Sequence, residues 1–458
     1  MGAICPEGNW SHNPGRPGRC DSKVPSGLCG GLDVLFTRRF IILALLTVTV
    51  RFAAVHAGQK ETFRASGPRW THFTIADPLP GSAYGTGGIP LADFDGDGDL
   101  DVVVSRRETQ TAYWFERKAD ETWIRHTLGQ SEGLKGALGA AALDMNRDGR
   151  IDVVLNKVWF ENAGNLTENP DKAWPAHVFD GGGHDVIAAD INGDGQLDVI
   201  TYDGTVVSWF NTSAGLNQAD IGQGEHNHGG IAPNGAADLD GDGDVDVVIP
   251  GYWFENPGKG HGDWRRHQWP HLPVERASYG TSMRVWIADI NADGRNDIVY
   301  SDCDTGLSHV YWVENLDSAM RWKRHQLPDP PTAAGDVPGT GSFHSLGVAD
   351  FDSDGDLDIF AGEQEDPDTF MTAQGKLPMK PLGLKERGVV WLRSGRPNPV
   401  FEPIVVQVDN PGWHDAALGD VDGDGDIDIV TKIWNKDGPS YHVDYWRNDS
   451  VRPGSGGR

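Results

Sequence analysis

Short β-branched and apolar runs recur along this chain, each placed directly behind an acidic, glycine-bearing turn. Val102-Val103-Val104 and Ile427-Asp428-Ile429-Val430 are two of them. Runs this short, rich in Val and Ile and bounded by Gly and Asp, predict strands rather than helices. A second apolar run follows each one and carries an aligned tryptophan: Trp114, Trp159, Trp209, Trp253, Trp312, Trp391 and Trp446. Four units then show Trp-x-x-His, at Trp123/His126, Trp174/His177, Trp264/His267 and Trp322/His325. Aromatics at fixed places in a repeat are candidate core, because each unit must bury its faces on a neighbour.

The acidic turns are seven copies of one loop. The first is Asp93-Phe94-Asp95-Gly96-Asp97-Gly98-Asp99-Leu100-Asp101, and the others begin at Asp144, Asp190, Asp238, Asp289, Asp350 and Asp420. Their spacings are 51, 46, 48, 51, 61 and 70 residues. Each reads Asp-x-Asp/Asn-x-Asp-Gly-x-x-Asp. A hard cation such as calcium takes six to eight oxygens, and alternate acidic side chains on a tight turn converge on one point. Position 7 can offer its carbonyl, so its side chain is free to vary. Position 6 is glycine in all seven, as a sharp turn requires.

The candidate calcium ligands are therefore the residues at positions 1, 3, 5 and 9. They are Asp93, Asp95, Asp97 and Asp101 in the first loop, and Asp144, Asn146, Asp148 and Asp152 in the second. The third offers Asp190, Asn192, Asp194 and Asp198, and the fourth Asp238, Asp240, Asp242 and Asp246. Asp289, Asn291, Asp293 and Asp297 form the fifth, Asp350, Asp352, Asp354 and Asp358 the sixth, and Asp420, Asp422, Asp424 and Asp428 the seventh. Loops two, three and five carry Asn at position 3 and fewer acids, so they are expected to be the weaker sites.

The loops also account for the charge. The chain of 458 residues has a formal net charge of −28, and the loops alone hold 29 aspartates. Seven Ca²⁺ would supply about fourteen positive charges, and without them the clusters repel themselves, so folding is expected to be coupled to calcium. So acidic a chain lacks the basic footprint that nucleic acid or an anionic membrane needs. Seventeen Trp and sixteen Phe exclude the other home of acidic chains, disorder.

Units of about fifty residues with roughly four strands have the size of propeller blades. The sequence thus predicts an all-β, seven-bladed β-propeller over residues 63–448, with a calcium loop in each blade. Trp70-Thr71-His72-Phe73-Thr74-Ile75 reads as a fourth strand without a blade, and the last blade stops at Tyr445-Trp446-Arg447 without one. The N-terminal strand is expected to complete blade seven and remove two free edges. The tail, 449–458, reads as flexible.

These loops resemble the FG-GAP or VCBS repeats of integrin α-subunit propellers and of many exported bacterial proteins. The resemblance implies a calcium-stabilised propeller. Its fold alone assigns no function.

The N-terminus carries an export signal pattern. Residues 40–50, FIILALLTVTV, follow Arg38 and Arg39 and end at Arg51, too short a run to span a bilayer. Val55-His56-Ala57 supplies a small-residue cleavage site. Residues 38–57 are read as a signal peptide and 1–37 as an unstructured leader or a misassigned start. Cys5, Cys20 and Cys29 lie in that leader, so the mature chain keeps only Cys303 and has no disulfide framework. The expected location is periplasmic or extracellular, with no transmembrane span in the mature chain.

The long insertions, Asn217–Asn234, Pro270–Ser282, Pro328–Ser342 and Glu363–Arg387, all fall on the face opposite the calcium loops, where a binding face is expected. Six residues before the first Asp of each loop the aligned column reads Gly87, Leu138, His184, Ala232, Met283, His344, His414. Three histidines thus stand at one height at the channel mouth, with His226 and His228 nearby. The returning strands end there in Arg106, Lys157, Asp203, Asp302, Glu363 and Lys432. Converging histidines can hold Zn²⁺ or another transition metal, or act as acid and base. They can also simply pack, as the Trp-x-x-His blocks do.

Two functions remain open on these residues. One is a binding module that recognises a glycan or an extracellular protein on the insertion face. The other is a carbon-oxygen lyase acting on carbohydrate, with His184, His344 and His414 as acid/base groups or ligands and Lys432 or Arg106 neutralising the substrate. Gly412-Trp413-His414-Asp415 resembles the propeller part of fungal aldos-2-ulose dehydratases and several polysaccharide lyases. That resemblance implies a metal or histidine site at the channel mouth.

Overall fold

The computed structural model describes residues 67–450, except 82–83, 119–120, 226, 272–279, 305–306, 333–335, 365–368, 373–374, 379–380, 410–411 and 435–440. The leader, the signal segment and the end of the tail lie outside the described residues. So does His226.

The β-branched runs form the strands that their pattern predicts, in seven antiparallel sheets. Blade one pairs Leu91–Ala92, Asp101–Ser105, Thr111–Arg117 and Trp123–Gln130 in that order. Blade two is Ala140–Leu143, Asp152–Leu155, Val158–Phe160 and Ala176–Val178. Blade three is Asp185–Ala189, Asp198–Tyr202, Val206–Asn211 and Asn217–Gln223. Blade four is Ala236–Ala237, Asp246–Ile249, Tyr252–Glu255 and Arg265–Gln268. Blade five is Ser282–Ala288, Asp297–Cys303, Val310–Asn315 and Trp322–Gln326, with Pro233–Asn234 added in parallel at its inner edge. Blade six is Phe343–Ala349, Asp358–Glu363, Arg387–Ser394 and Val400–Val408.

Blade seven closes the ring as its missing strand predicts. Asp415–Gly419, Asp428–Lys432 and Val443–Asn448 are completed by Trp70–Ala76, with Trp70 opposite Asn448 and His72 opposite Trp446. Pairing Trp70–Ala76 with Val443–Asn448 removes two open sheet edges. No helix among the described residues is long and apolar enough to cross a membrane.

Packing between blades uses the repeated aromatics. Trp114, Trp253, Trp391 and Trp446 are at most 2% exposed, whereas Trp159 is partly buried. Burying one such ring contributes roughly 4–6 kcal/mol of transfer free energy. The histidines of the Trp-x-x-His blocks lie across the sheet from these tryptophans. His177, His267 and His325 stack on Trp159, Trp253 and Trp312 at 4.4, 4.5 and 4.3 Å between centroids. Each imidazole also meets the glutamate two residues past its tryptophan: Glu161, Glu255 and Glu314. These histidines pack and pair; they are far in role from any ligand site.

One repeated contact had no sequence expectation. The buried side-chain amides of Asn162, Asn256, Asn315 and Asn448 donate to Phe94, Ile191, Leu239 and Phe351, in the acidic loop of the preceding blade. Each asparagine thereby ties one blade's third strand to its neighbour's loop.

Asn217–Asn234 is not one continuous insertion. Its first half, Asn217–Gln223, is the outer strand of blade three. The Glu363–Arg387 insertion carries a hairpin of its own, Thr369–Thr372 with Gly375–Pro378. Its two ends are joined by a buried ion pair, Arg387 to both Glu363 oxygens at 2.7 and 2.8 Å.

Candidate functional site

The acidic loops share one construction. In all seven, the position-6 glycine has positive φ, from 82° at Gly149 to 100° at Gly98, and nothing lies within 4 Å of where a Cβ would stand. Glycine is needed there for the backbone and not for space. Its N–H donates to the position-1 carboxylate in every loop, as from Gly195 to Asp190 at 2.8 Å. Position 4 is left-handed as well, including the non-glycines Arg147, Ala292 and Ser353.

The position-9 aspartate enters the sheet. Asp101 accepts from Phe94 N–H and Arg117 N–H, and the equivalent pair recurs at Asp152, Asp246, Asp297, Asp358 and Asp428. Burial pushes these carboxyls up: Asp101 and Asp428 to about 8, Asp246, Asp297 and Asp358 to about 7, Asp152 to about 6. Burial and neighbouring Asp97 push Asp95 to about 6.

The donor set fits calcium. Asp93/Asp95/Asp101, Asp238/Asp240/Asp246 and Asp350/Asp352/Asp358 each bring three carboxylate oxygens within 4.8 Å of one another. Oδ2 of Asp95, Oδ2 of Asp198 and Oδ1 of Asp420 are buried without a hydrogen-bond donor. Crowded, under-satisfied carboxylates are what a hard cation relieves. Loops two and five differ: Arg150 pairs with Asp148 and Arg295 with Asp293, while Asn146 and Asn291 turn their amides to the same aspartates. Arg147 reaches Asp194 of loop three. Cations already occupy part of the field in the three loops with Asn at position 3.

At the opposite ends of the inner strands the channel opens into a cavity of about 760 Å³. His184, His344, His414 and Lys432 all line it, together with His228, Asp185, Arg284, Asp304, Asp415 and Trp434. The residues grouped with Lys432 at the ends of the returning strands have other places. Arg106 is buried against the carbonyls of Leu79 and Gly81 and lies over the Tyr441 ring at 3.5 Å. Lys157 and Asp203 are exposed. Asp302 pairs with His271, and Glu363 with Arg387.

Blade three supplies an oriented imidazole. Asp185, fully buried, accepts three backbone N–H groups on Oδ2, from Gly230, Ile231 and Ala232 at 2.6, 2.9 and 3.1 Å. Its Oδ1 meets His184 Nδ1 at 2.7 Å and faces Arg284 at 3.7 Å. Burial opposes the charge, but His184, Arg284 and these donors hold the carboxyl well below the usual range. A carboxylate on Nδ1 fixes the tautomer and leaves Nε2 with the lone pair. His228 packs on His184 with ring centroids 4.1 Å apart; burial, then His184, pushes its pKa down to about 4.

Blades six and seven supply a second imidazole pair. His344 and His414 stack at 3.7 Å, and His414 stacks in turn on Trp434 at 5.1 Å. His344 Nδ1 lies 2.7 Å from the His414 carbonyl, and Arg284 Nε donates to the His344 carbonyl at 2.8 Å. Burial, then Arg284, lowers the His344 pKa; burial, then His344, lowers that of His414 further. Lys432 stands 3.6 Å from Asp415. Neutral imidazoles beside fixed cations and an aromatic face can accept a proton, hold a metal, or bind hydroxyl and carboxylate groups of a ring-shaped ligand.

Arg284, Asp304 and Trp434 had no sequence expectation, and Asp185 only its place beside His184. Arg284 sits one residue past Met283 in the aligned column, so the repeat register could have found it. Asp304 and Trp434 lie past strand ends, where register is lost.

The FG-GAP-like repeat family matches residues 93–155, 238–300 and 289–361. No curated protein sequence matches the chain. Among solved structures, an Agrocybe aegerita lectin specific for non-reducing terminal N-acetylglucosamine aligns at 17% identity and TM-score 0.46, over 75% of this chain and 91% of that one. The Vibrio cholerae biofilm matrix protein Bap1 aligns at 12% identity and TM-score 0.34, over 80% and 77%. The exotype rhamnogalacturonan lyase YesX aligns at 14% identity and TM-score 0.36, over 82% and 75%.

Proposed function

Since this chain carries FG-GAP-like repeats in a seven-bladed propeller, we propose that it is an exported calcium-binding propeller that recognises a glycan at the channel mouth. The observation that carries this reading is the cavity of about 760 Å³ on the face opposite the acidic loops. Its volume falls in the range of small-molecule pockets, roughly 300–1,000 Å³. Its lining joins the Trp434 ring to charged and imidazole groups, a mixture that suits a ring with an apolar face and a polar edge. A concave site of this kind favours a sugar over the surface of a protein partner. The signal-like segment before the propeller supports export.

The test is a glycan array followed by calorimetry on the best binder, in calcium. Trp434→Ala is expected to weaken binding by about tenfold or more, the equivalent of about 1.4 kcal/mol. Arg396→Ala, whose guanidinium pairs with Asp356 in an acidic loop, is expected to bind as the parent does. Binding indifferent to Trp434→Ala would remove the cavity from the account.

The buried Asp185 beneath His184 favours a second reading, a carbon-oxygen lyase on carbohydrate. His184 Nε2 would take the proton next to a sugar carboxylate held by Lys432 or Arg284. The C–H electron pair would form the C=C bond as the C–O bond breaks and its pair leaves on oxygen. Uronate polysaccharides should then yield an unsaturated, ultraviolet-absorbing product, and His184→Ala should abolish it. Product formation at parental rate by that variant would exclude His184 as the base.

A further inference from the structure

On the wall of the channel mouth, three ligand types meet that no calcium loop combines. Cys303 ends the second strand of blade five, Asp304 follows it, and His344 enters the inner strand of blade six. A sulfur, a carboxylate oxygen and an imidazole nitrogen of these residues lie within 4.8 Å of one another.

The local geometry orients each group. Asp304 has φ of 53°, in the left-handed region, and its N–H donates to Ser342 Oγ at 2.8 Å. Its Oδ1 accepts from the Gln364 amide at 3.2 Å. That leaves Oδ2, which is buried, has no hydrogen-bond donor, and faces His344 Nε2 at 3.5 Å. His344 Nδ1 lies between the His414 carbonyl at 2.7 Å and Arg284 Nη2 at 3.1 Å, so Nε2 is the ring nitrogen left to face Asp304. Two potential ligand atoms thus face each other across 3.5 Å. Ligands about 2.1 Å from a tetrahedral ion stand about 3.4 Å apart. The gap is that of an ion's coordination edge. Cys303 Sγ, 3.0 Å from Ser282 Oγ, adds a soft donor.

We propose that Asp304, His344 and Cys303 bind one first-row divalent transition metal ion, of zinc-like preference, at the wall of the channel mouth. Nitrogen, oxygen and sulfur donors together select such an ion over calcium, which takes oxygen alone. Binding displaces the thiol proton, so that Cys303 ligates as thiolate. Three protein ligands leave a fourth position for water or a ligand oxygen, the arrangement of catalytic rather than structural zinc sites. The metal is measured without any sugar, so its absence would leave the glycan reading standing, and the reverse.

The experiment uses the full chain in millimolar calcium, which fills the acidic loops. The protein is freed of transition metals, and Co²⁺ alone is titrated in. One equivalent should bind with ligand-field absorption of a low-symmetry site and a thiolate charge-transfer band. Cys303→Ser should lose the charge-transfer band while still binding. His344→Ala and Asp304→Asn should bind Co²⁺ at least about 100-fold more weakly, with the near-ultraviolet circular dichroism of the calcium-loaded fold unchanged. His325→Ala, a histidine stacked on Trp312, should bind like the parent. If His344→Ala unfolds, the near-isosteric Asp304→Asn decides. No saturable Co²⁺ binding by the parent, or equal binding by Asp304→Asn, overturns the proposal.

Discussion

Chromatographic removal of calcium is expected to unfold this protein, and the metal-free chain is expected to become less stable as pH rises. A site occupied at a thousandfold over its Kd contributes about 4 kcal/mol to the folded state. Four loops carry five aspartates each, so their loss removes about 16 kcal/mol, more than a typical domain's whole stability of about 5–15 kcal/mol. The pH dependence follows from the position-9 aspartates. Burial raises their folded pKa values to about 6–8 from an ordinary 3.8. Between those limits the metal-free folded state holds more protons than the unfolded chain, so stability falls as pH climbs from about 4 to about 8. A tenfold difference in proton affinity between the folded and unfolded chain corresponds to about 1.4 kcal/mol at each carboxyl. With calcium the order reverses, because the ion binds the deprotonated carboxylates. Thermal unfolding at pH 5 and pH 8, on resin-stripped and calcium-loaded protein, reads both slopes. Equal melting temperatures with and without calcium at pH 8 would contradict the account. In a calcium titration, loops two, three and five should fill last, since Arg150, Arg147 and Arg295 already lie against their aspartates.

The largest effect of one substitution is expected at Arg387. Its guanidinium is fully buried and spans both oxygens of Glu363, which is 1% exposed. Gly341 N–H and Arg387 N–H also donate to that carboxylate, and Arg387 reaches the Gly339 carbonyl. Arg387→Met leaves a buried carboxylate without its cation, a loss of about 3–5 kcal/mol. Adding Glu363→Gln to that variant should recover part of it, because the stranded charge is then gone. Denaturant midpoints in saturating calcium measure both. A shift within about 0.5 kcal/mol would show that the pair does not hold the insertion's base.

The parts of this structure that could be read in advance are those that repeat. Seven acidic turns, seven aligned tryptophans and a strand without a blade determine the ring and its closure, because each local choice agrees with the others. The histidine column is legible for the same reason: His184, His344 and His414 share one register, and one cavity receives all three. What register cannot give is proximity between blades. Asp304 and Trp434 follow strands, and Asp185 is fixed by backbone groups of the next blade's entry, forty-five residues on. The asparagine staples are visible in principle, as Trp-Phe-Glu-Asn at Trp159 and Trp253 and Trp-Val-Glu-Asn at Trp312, but their partner is a carbonyl with no sequence signature. The outer strand of blade three, Asn217–Gln223, reads as insertion because its polar run has no apolar alternation.

A glycan is expected to bind at the mouth opposite the acidic loops. Hydrogen–deuterium exchange of the calcium-loaded protein, with and without the strongest array glycan, tests it most directly. Protection is expected in the segments around His184, Arg284, His344 and Lys432, with exchange in the seven acidic loops unchanged. Protection confined to the acidic loops or the outer strands, or no glycan bound at all, would contradict it.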